Sequence, residues 1–360
     1  MINTLKDVIN ALTAPEIFIT VAALAFLWAL RTRGFWRGRP AAFMGIGAVF
    51  FLGVSMLDPN FALIVKKPDN VPIVAMLFLV AFFLWLSMAQ AYDNDDRIAA
   101  GQPPKEASDG EAEKTWVWPD LVYTELLAMV IGMIILVVWS LLLKAPLEQP
   151  ANPANTPNPS KAPWYFLGLQ EMLVYFDPWL AGVVLPSLII VGLICIPYVD
   201  KNPKGNGYYT FSERKAEITI FLFGFAVLWS SLIVLGTFLR GPNWNFFGPF
   251  EPWDIHKLAA LTNVNLSEYV WVRALRTGLP SFWLVREIFG ILFVLFYVFA
   301  LPPLLAKSWF KGFYEKLGAP RYYVTVFLFL MMMALPIKML ARWLFNLKYI
   351  VAIPEFFFNI

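Results

Sequence analysis

Long apolar runs, separated by polar connections, dominate the pattern of the chain. A helix that crosses a bilayer needs about 20 mainly apolar residues, and eight runs come close to that length. They are residues 15–31, 41–57, 71–92, 121–143, 180–199, 217–239, 283–305 and 322–345. The pattern therefore predicts an all-α fold, a polytopic membrane bundle of about eight transmembrane helices.

Composition supports this interpretation. Of the 360 residues, 59% are hydrophobic and 15% are charged, whereas about 25% of the residues of a soluble domain are charged. The net charge of +3 is small, and we expect membrane lipid and no nucleic acid as a partner. Residues 1–16 lack the basic region and the small-residue cleavage site of a secretory signal peptide, so we expect no cleaved leader.

Basic residues predict the orientation of the bundle. Lys and Arg concentrate in the connection 31–40 and in the connections that follow the fifth and seventh runs. With eight spans these connections share one side, which the positive-inside rule makes cytoplasmic. The acidic connection 93–115 lies there too, because acidic residues carry little weight in that rule. The connections 144–179 and 240–282 then face outward.

The chain has one His and one Cys, which limits the metals that it can hold. A single Cys forms neither an intrachain disulfide nor a Cys-x-x-Cys-His haem attachment. A single His cannot provide the two ligands of a bis-histidine haem. We therefore expect no metal site in this chain, and any metal centre of a redox reaction is expected on other chains.

The outer connection 144–179 changes character half-way. Its first part is rich in Pro and is expected to be extended and stiff. Residues 164–176, WYFLGLQEMLVYF, are apolar and aromatic but too short to span a membrane. We expect a surface or re-entrant helix that roofs an apolar pocket at the outer face, suited to a lipid-soluble ring with a polar edge.

This connection carries a resemblance to a known family. The motif 150-PANPANTPNPSKAPWYFLGLQE-171, together with the order of spans around it, resembles the C-terminal half of cytochrome b, the subunit IV type of cytochrome bc-type complexes. The likeness covers about residues 116–254, with extra transmembrane helices at both ends. It predicts five parts: three helices of unknown role in 1–92, an acidic cytoplasmic linker at 93–115, the cytochrome b-like part at 116–254, an outer loop at 255–282, and two helices with a tail at 283–360.

The resemblance implies a quinol-oxidising site on the outer face. In the family this site is bordered by a Pro-Glu-Trp-Tyr tetrapeptide, which corresponds here to residues 162–165, Ala-Pro-Trp-Tyr. The residues that we expect to contact quinol are Pro163, Trp164, Tyr165, Phe166 and Leu169. The alternative for the aromatic residues is anchoring at the lipid interface.

Pro163 replaces the Glu that is proposed to accept a quinol proton in the family. Tyr165 and Glu171 are the candidate catalytic substitutes. A carboxylate in an apolar, partly dry pocket is suited to act as a base near neutral pH. The equal alternative for Glu171 is a capping or ion-pairing role at the lipid interface.

The resemblance also implies a quinone-reducing site on the cytoplasmic side. Asp120, at the start of the run 121–143, matches an acidic position there and would relay protons to the quinone. The alternative is an N-cap, since an Asp before an apolar helix stabilises its free N–H groups.

Taken together, the resemblance implies a subunit of a bacterial quinol:cytochrome c oxidoreductase of the complex III type. It would form walls of both quinone sites, in respiratory electron transfer coupled to proton translocation across the bacterial cytoplasmic membrane. The expected substrate is quinol or quinone, of unknown species. The expected partners are a cytochrome b N-terminal-half subunit with the b haems, a Rieske iron–sulfur protein and a c-type cytochrome subunit with haem c.

Two other functions remain open at this point. A quinol-interacting membrane anchor of the polysulfide-reductase type would also have about eight helices, but its quinol site would lie within a helical bundle. A transporter or channel would need ionisable residues near span centres or two matched broken helices. Neither feature is visible in the sequence.

Overall fold

The computed structural model describes residues 2–110, 115–145, 150–201 and 209–360. The parts of the predicted acidic linker at 111–114 and of the predicted outer connection at 146–149 lie outside the described residues. So does the segment 202–208, which holds one of the basic residues used for orientation.

Within the described residues, seven helices are long and apolar enough to cross a membrane. They are α3 (Gly38–Ser55), α5 (Asn70–Ala99), α7 (Val117–Leu142), α9 (Leu180–Val199), α10 (Lys215–Leu239), α13 (Ile288–Lys307) and α15 (Ala319–Phe345). An eighth span is formed if α1 (Ile2–Leu12) and α2 (Pro15–Arg31), which are bent by 77°, are counted as one. The predicted all-α, polytopic bundle is confirmed, and each predicted run coincides with a helix.

Shorter elements connect the spans. They are α4 (Pro59–Val65), α6 (Lys105–Gly110), α8 (Trp164–Met172), α11 (Glu268–Ala274), α12 (Trp283–Arg286) and α14 (Lys311–Leu317), with single 3₁₀ turns at Arg33–Trp36, Pro242–Trp244 and Pro354–Phe356. The strands β1 (Ala352–Ile353) and β2 (Phe358–Asn359) pair antiparallel as a small hairpin in the tail.

Proline and aspartate set several of the helix starts. Pro15 and Pro59 stand in the first turns of α2 and α4, where a missing N–H costs no helical hydrogen bond. Asp58 caps α4, since its carboxylate accepts the amide N–H groups of Asn60 at 2.9 Å and Phe61 at 3.1 Å. The break between α1 and α2 lies directly before Pro15, which explains why the first span begins there.

Contacts between the connections sort the helix ends into two layers. In one layer Arg33 pairs with Asp96 at 3.1 Å, and Asp95 accepts the amide of Ser212 at 3.0 Å. These contacts join the connection 31–40, the end of α5 and the connection after α9. The sequence predicted that these three share the cytoplasmic side, and they do share a side.

The opposite layer holds the outer connections. The side-chain oxygen of Asn10 in α1 accepts the backbone N–H of Phe250 at 3.0 Å, and the side-chain nitrogen of Asn60 donates to the carbonyl of Phe250 at 3.2 Å. Asn158 and Asn243 bond each other at 2.8 Å between side chains. The proline-rich segment therefore lies beside the connection that follows α10.

The principal core lies below this outer layer. It joins α2, α10, α15 and the segment after α8 through buried apolar side chains such as Ile19, Tyr175, Leu232 and Met339. Of the most apolar 18-residue stretch of α10, 44% is buried, whereas none of the corresponding stretch of α7 is buried. α10 is thus central in the bundle, and α7 exposes its apolar surface on all sides.

Candidate functional site

The predicted surface helix is present as α8, and it rests closely on α10. A Cβ atom added to Gly236 would lie 3.2 Å from the carbonyl oxygen of Leu167, and one added to Gly168 would lie 3.5 Å from the ring of Trp229. Gly236 therefore permits the close approach of the helices, whereas a Cβ atom at Gly168 would make an ordinary van der Waals contact. Leu167 and Met172 are buried by this close approach.

The first turn of α8 carries the aromatic residues that were predicted to contact quinol. Trp164, Tyr165 and Phe166 are 37%, 50% and 50% exposed. Successive rings touch, with centroids 5.6 Å apart for Trp164 and Tyr165 and 4.6 Å apart for Tyr165 and Phe166. Leu169 is partly buried and packs against the principal core. The first turn of α8 thus presents a continuous aromatic surface.

Gln170 holds the preceding segment against α8. Its side-chain oxygen accepts the amide of Ala162 at 2.8 Å, and its nitrogen donates to the carbonyl of Ser160 at 2.8 Å. Pro163 follows directly and is exposed. The tetrapeptide at 162–165 is therefore fixed in position by a residue that the sequence had not singled out.

Glu171 is completely buried and forms a two-point ion pair with Arg240. The Nε and Nη2 groups of Arg240 donate to its two oxygens at 3.0 and 2.6 Å, and the hydroxyl of Tyr175 lies 3.4 Å away. Arg240 also donates to the carbonyl of Trp244 at 3.0 Å. Such two-point pairs are strong and directional. The pairing alternative for Glu171 is thus what the structure contains, and its role as a proton acceptor stays a prediction.

The pair changes the pKa values around it. Burial by itself would lower the pKa of Arg240, but the charge and hydrogen bonds of Glu171 raise it above its ordinary value. Burial, and then the negative charge of Glu171, raise the pKa of Tyr175. Arg240 therefore stays charged and Tyr175 stays a neutral hydroxyl at physiological pH.

Lys161 is a second, partly buried cation in the same region. Its ammonium donates to the carbonyl of Thr237 at 2.8 Å and lies 4.9 Å from the centroid of the Trp253 ring. Thr237 belongs to a π-helical turn, Leu235–Leu239, at the end of α10. Burial, followed by the charge of Lys67, lowers the pKa of Lys161 to about 7.

Asp120 lies far from these groups. It is exposed in the first turn of α7, and it lies inside the helix and not at its N-cap. No side-chain capping bond is found in the described chain at the start of the first turn, Val117–Leu121, or of the α-helical part that follows it. α7 has 26 residues, which is about 39 Å at 1.5 Å per residue. The structure therefore does not join Asp120 to the residues around α8, and the two quinone sites stay predictions.

Metal ligands are not grouped in the described part of the chain. Among the residues described, no three His, Cys, Asp or Glu side chains are placed to hold a metal ion. Haem and iron–sulfur ligation by partner chains stays a prediction.

Sequence comparison supports the resemblance. Residues 150–247 match the family model described as "Cytochrome b(C-terminal)/b6/petD". A similar curated protein is the "Menaquinol:cytochrome c reductase cytochrome c subunit" of Geobacillus thermodenitrificans, which is 31% identical over 121 residues; the match covers 31% of this chain and 47% of that protein. The chain thus spans about half the length of this relative. No solved structure matches the chain.

The family match begins after α7 and ends after Arg240. It contains α8, the Glu171–Arg240 pair, Lys161 and α10, but not Asp120. The resemblance drawn from the motif is confirmed for this stretch. Residues 150–247 are thus similar to the cytochrome b C-terminal family and lie within a longer polytopic membrane protein.

Proposed function

We propose that this chain is a subunit of a quinol:cytochrome c reductase and that its segment 160–176 forms a wall of the quinol-oxidising site. The observation that supports this most is the exposed aromatic surface of Trp164, Tyr165 and Phe166, on a helix anchored by a buried ion pair in the family-matched segment. A flat, lipid-soluble ring binds well to such a surface, because contacts between aromatic rings contribute binding energy in addition to that of the buried surface area.

In this function the chain binds and orients quinol and handles its protons. Oxidation of a quinol releases two protons and two electrons. With one His and one Cys in the chain, the electron acceptors belong to partners: a cytochrome b N-terminal half with b haems, a Rieske iron–sulfur protein and a c-type cytochrome. The matched relative is named for menaquinol and cytochrome c, so menaquinol is the first substrate to test.

The exposed helix α7 supports a partner within the membrane. None of the most apolar stretch of α7 is buried by the rest of this chain. The helix directly precedes the predicted outer connection. We propose that the cytochrome b N-terminal half packs on α7 and completes a quinone-reducing site near Asp120. The bacterial cytoplasmic membrane, with the positively charged connections inside, is the proposed location.

The test is purification of the native complex through an affinity tag on this chain. We expect co-purified b and c haems in the reduced spectrum and reduction of cytochrome c by menaquinol. The chain produced alone is expected to show no haem spectrum. A native complex without haems, or one that oxidises menaquinol without reducing cytochrome c, would instead favour the polysulfide-reductase type of anchor.

A further inference from the structure

Lys161 is a partly buried amine that has no carboxylate partner among the described residues. Glu171 is the acidic group whose charge reaches it, but both oxygens of Glu171 are engaged by Arg240. The ammonium of Lys161 instead donates to the neutral carbonyl of Thr237. Even partial burial of a cation without a counter-ion is unfavourable, so the fold favours the neutral amine at this position.

A second observation points to proton chemistry at the same place. The hydroxyl of Thr237, a residue that is only 3% exposed, is buried and has no hydrogen-bond partner among the described residues. Buried hydroxyls are normally satisfied. This hydroxyl lies on the residue whose carbonyl holds Lys161.

The charged groups around Lys161 come from three elements. Lys67, from the connection before α5, and Arg240, which follows α10, both disfavour the ammonium form, whereas Glu171 of α8 favours it. The largest effect is burial, and the resulting pKa is about 7. Near neutral pH a substantial fraction of Lys161 is therefore a free amine with an available lone pair.

The sequence position of Lys161 adds to its geometry. It stands two residues before Pro163, which occupies the position of the family's acidic residue, and Gln170 fixes the flanking residues 160 and 162 against α8. The backbone at Lys161 is thus held beside the first turn of α8, and its side chain extends to Thr237 at the end of α10.

Resting on the proposed function, we propose that Lys161 is the proton acceptor of the outer quinol site. The quinol O–H bond breaks, an N–H bond forms on Nζ, and the products are a quinol anion and the Lys161 ammonium. No electron moves in this step, since the anion is oxidised afterwards by the partner-held centres. The new ammonium keeps its hydrogen bond to Thr237 until it releases the proton outward.

The experiment measures menaquinol:cytochrome c reduction by the native complex between pH 5.5 and 9. Lys161→Met removes the amine, and Lys161→Arg keeps a cation that stays protonated in proteins. The matched control is Lys144→Met, because Lys144 is an exposed lysine of the same outer layer. Haem content and a thermal unfolding curve are recorded for every variant to monitor assembly.

For the unaltered complex we expect a rate that rises with pH through about 7, as Lys161 loses its proton. Both Lys161 variants are expected to lower the rate about 100-fold, the lower end of what a general base contributes, and to lose the pH step. Lys144→Met should retain both the rate and the step.

A purely structural Lys161 gives a different result. Lys161→Arg would then restore the bond to Thr237 and most of the activity, and this rescue would overturn the proposal. An unchanged pH step in a folded, haem-loaded Lys161→Met complex would also overturn it. If the unaltered complex does not reduce cytochrome c at all, the proposed function itself has failed.

Discussion

The two candidate quinone sites differ in how much of each one this chain builds. At one end of the bundle, where the outer site is predicted, α8 is anchored to α10 by the close contact at Gly236 and by the buried Glu171–Arg240 pair, and to the preceding segment by the Gln170 bonds. At the opposite end, where the inner site is predicted, Asp120 is a single exposed carboxylate at the start of α7. The candidate outer site is thus largely preorganised within the chain, whereas the candidate inner site has one residue from this chain.

The helices that carry the two sites show the same difference. In α10, 44% of the most apolar stretch is buried, whereas in α7 none of that stretch is buried. A helix that is apolar all round is covered by protein or by lipid in its functional setting. The difference supports our proposal that the partner packs on α7, and it indicates that the contacts of α8 and α10 can be tested by mutation of this chain alone.

The largest expected effect comes from breaking the outer ion pair. Arg240→Ala leaves the carboxylate of Glu171 buried without a partner, and removal of one partner of a buried pair costs about 3–5 kcal/mol. We expect a large loss of thermal stability in detergent solution and loss of quinol oxidation. The exposed Arg39→Ala is the matched control, and equal stability of the two variants would show that the pair does not anchor α8.

A smaller effect is expected from the aromatic surface. Tyr165→Ala removes an exposed ring, so stability should change little, while the loss of ring contacts worth about 0.5–1.5 kcal/mol should raise the KM for menaquinol up to about tenfold. Tyr165→Phe separates ring contact from proton transfer. We expect it to stay close to the unaltered enzyme, and a strong fall in kcat would instead make the Tyr165 hydroxyl catalytic.

The next prediction concerns the tail that covers the end of the outer segment. Asn359 of β2 donates to Asp177 at 2.9 Å, its carbonyl accepts from Trp179 at 3.1 Å, and Phe358 stacks on Trp179 with centroids 5.1 Å apart. Asn359→Ala is expected to reduce stability by about 1 kcal/mol through the lost side-chain bond. A thermal shift indistinguishable from that of the exposed Lys144→Met would exclude a stabilising role for this contact.

The smallest effect on the outer reaction is expected at Asp120. As an exposed residue, Asp120→Asn should change stability by no more than about 0.5 kcal/mol and should leave menaquinol oxidation unchanged. Reoxidation of the reduced b haems by added quinone should become slower if Asp120 delivers protons at the inner site. Unchanged reoxidation kinetics would leave Asp120 without a role in quinone reduction.

Much of the fold was predictable because membrane spans depend on local composition. The eight apolar runs, the shared side of the basic connections and the position of α8 all follow from residues that are close in sequence. The bend before Pro15 and the helix α1 were not predicted, since α1 is too short and too polar to span by itself.

The polar network of the site could not be predicted from the sequence. Glu171 and Arg240 are 69 residues apart, and only the packing of α8 on α10 brings them together. Lys161 is an ordinary lysine in a proline-rich segment, and only the fold brings its ammonium to the carbonyl of Thr237. The hairpin at 352–359 depends likewise on contacts with residues near Asp177, far away in the chain.

Photolabelling with an azido-menaquinone tests the central claim most directly, namely that the aromatic surface of α8 binds quinol. The native complex is irradiated with the probe, with and without excess menaquinol, and the labelled peptides of this chain are identified by mass spectrometry. We predict that the label protected by menaquinol lies in residues 160–176. Protected label confined to the helices α13 and α15, with none in α8, would contradict the account and support a quinol site within the bundle.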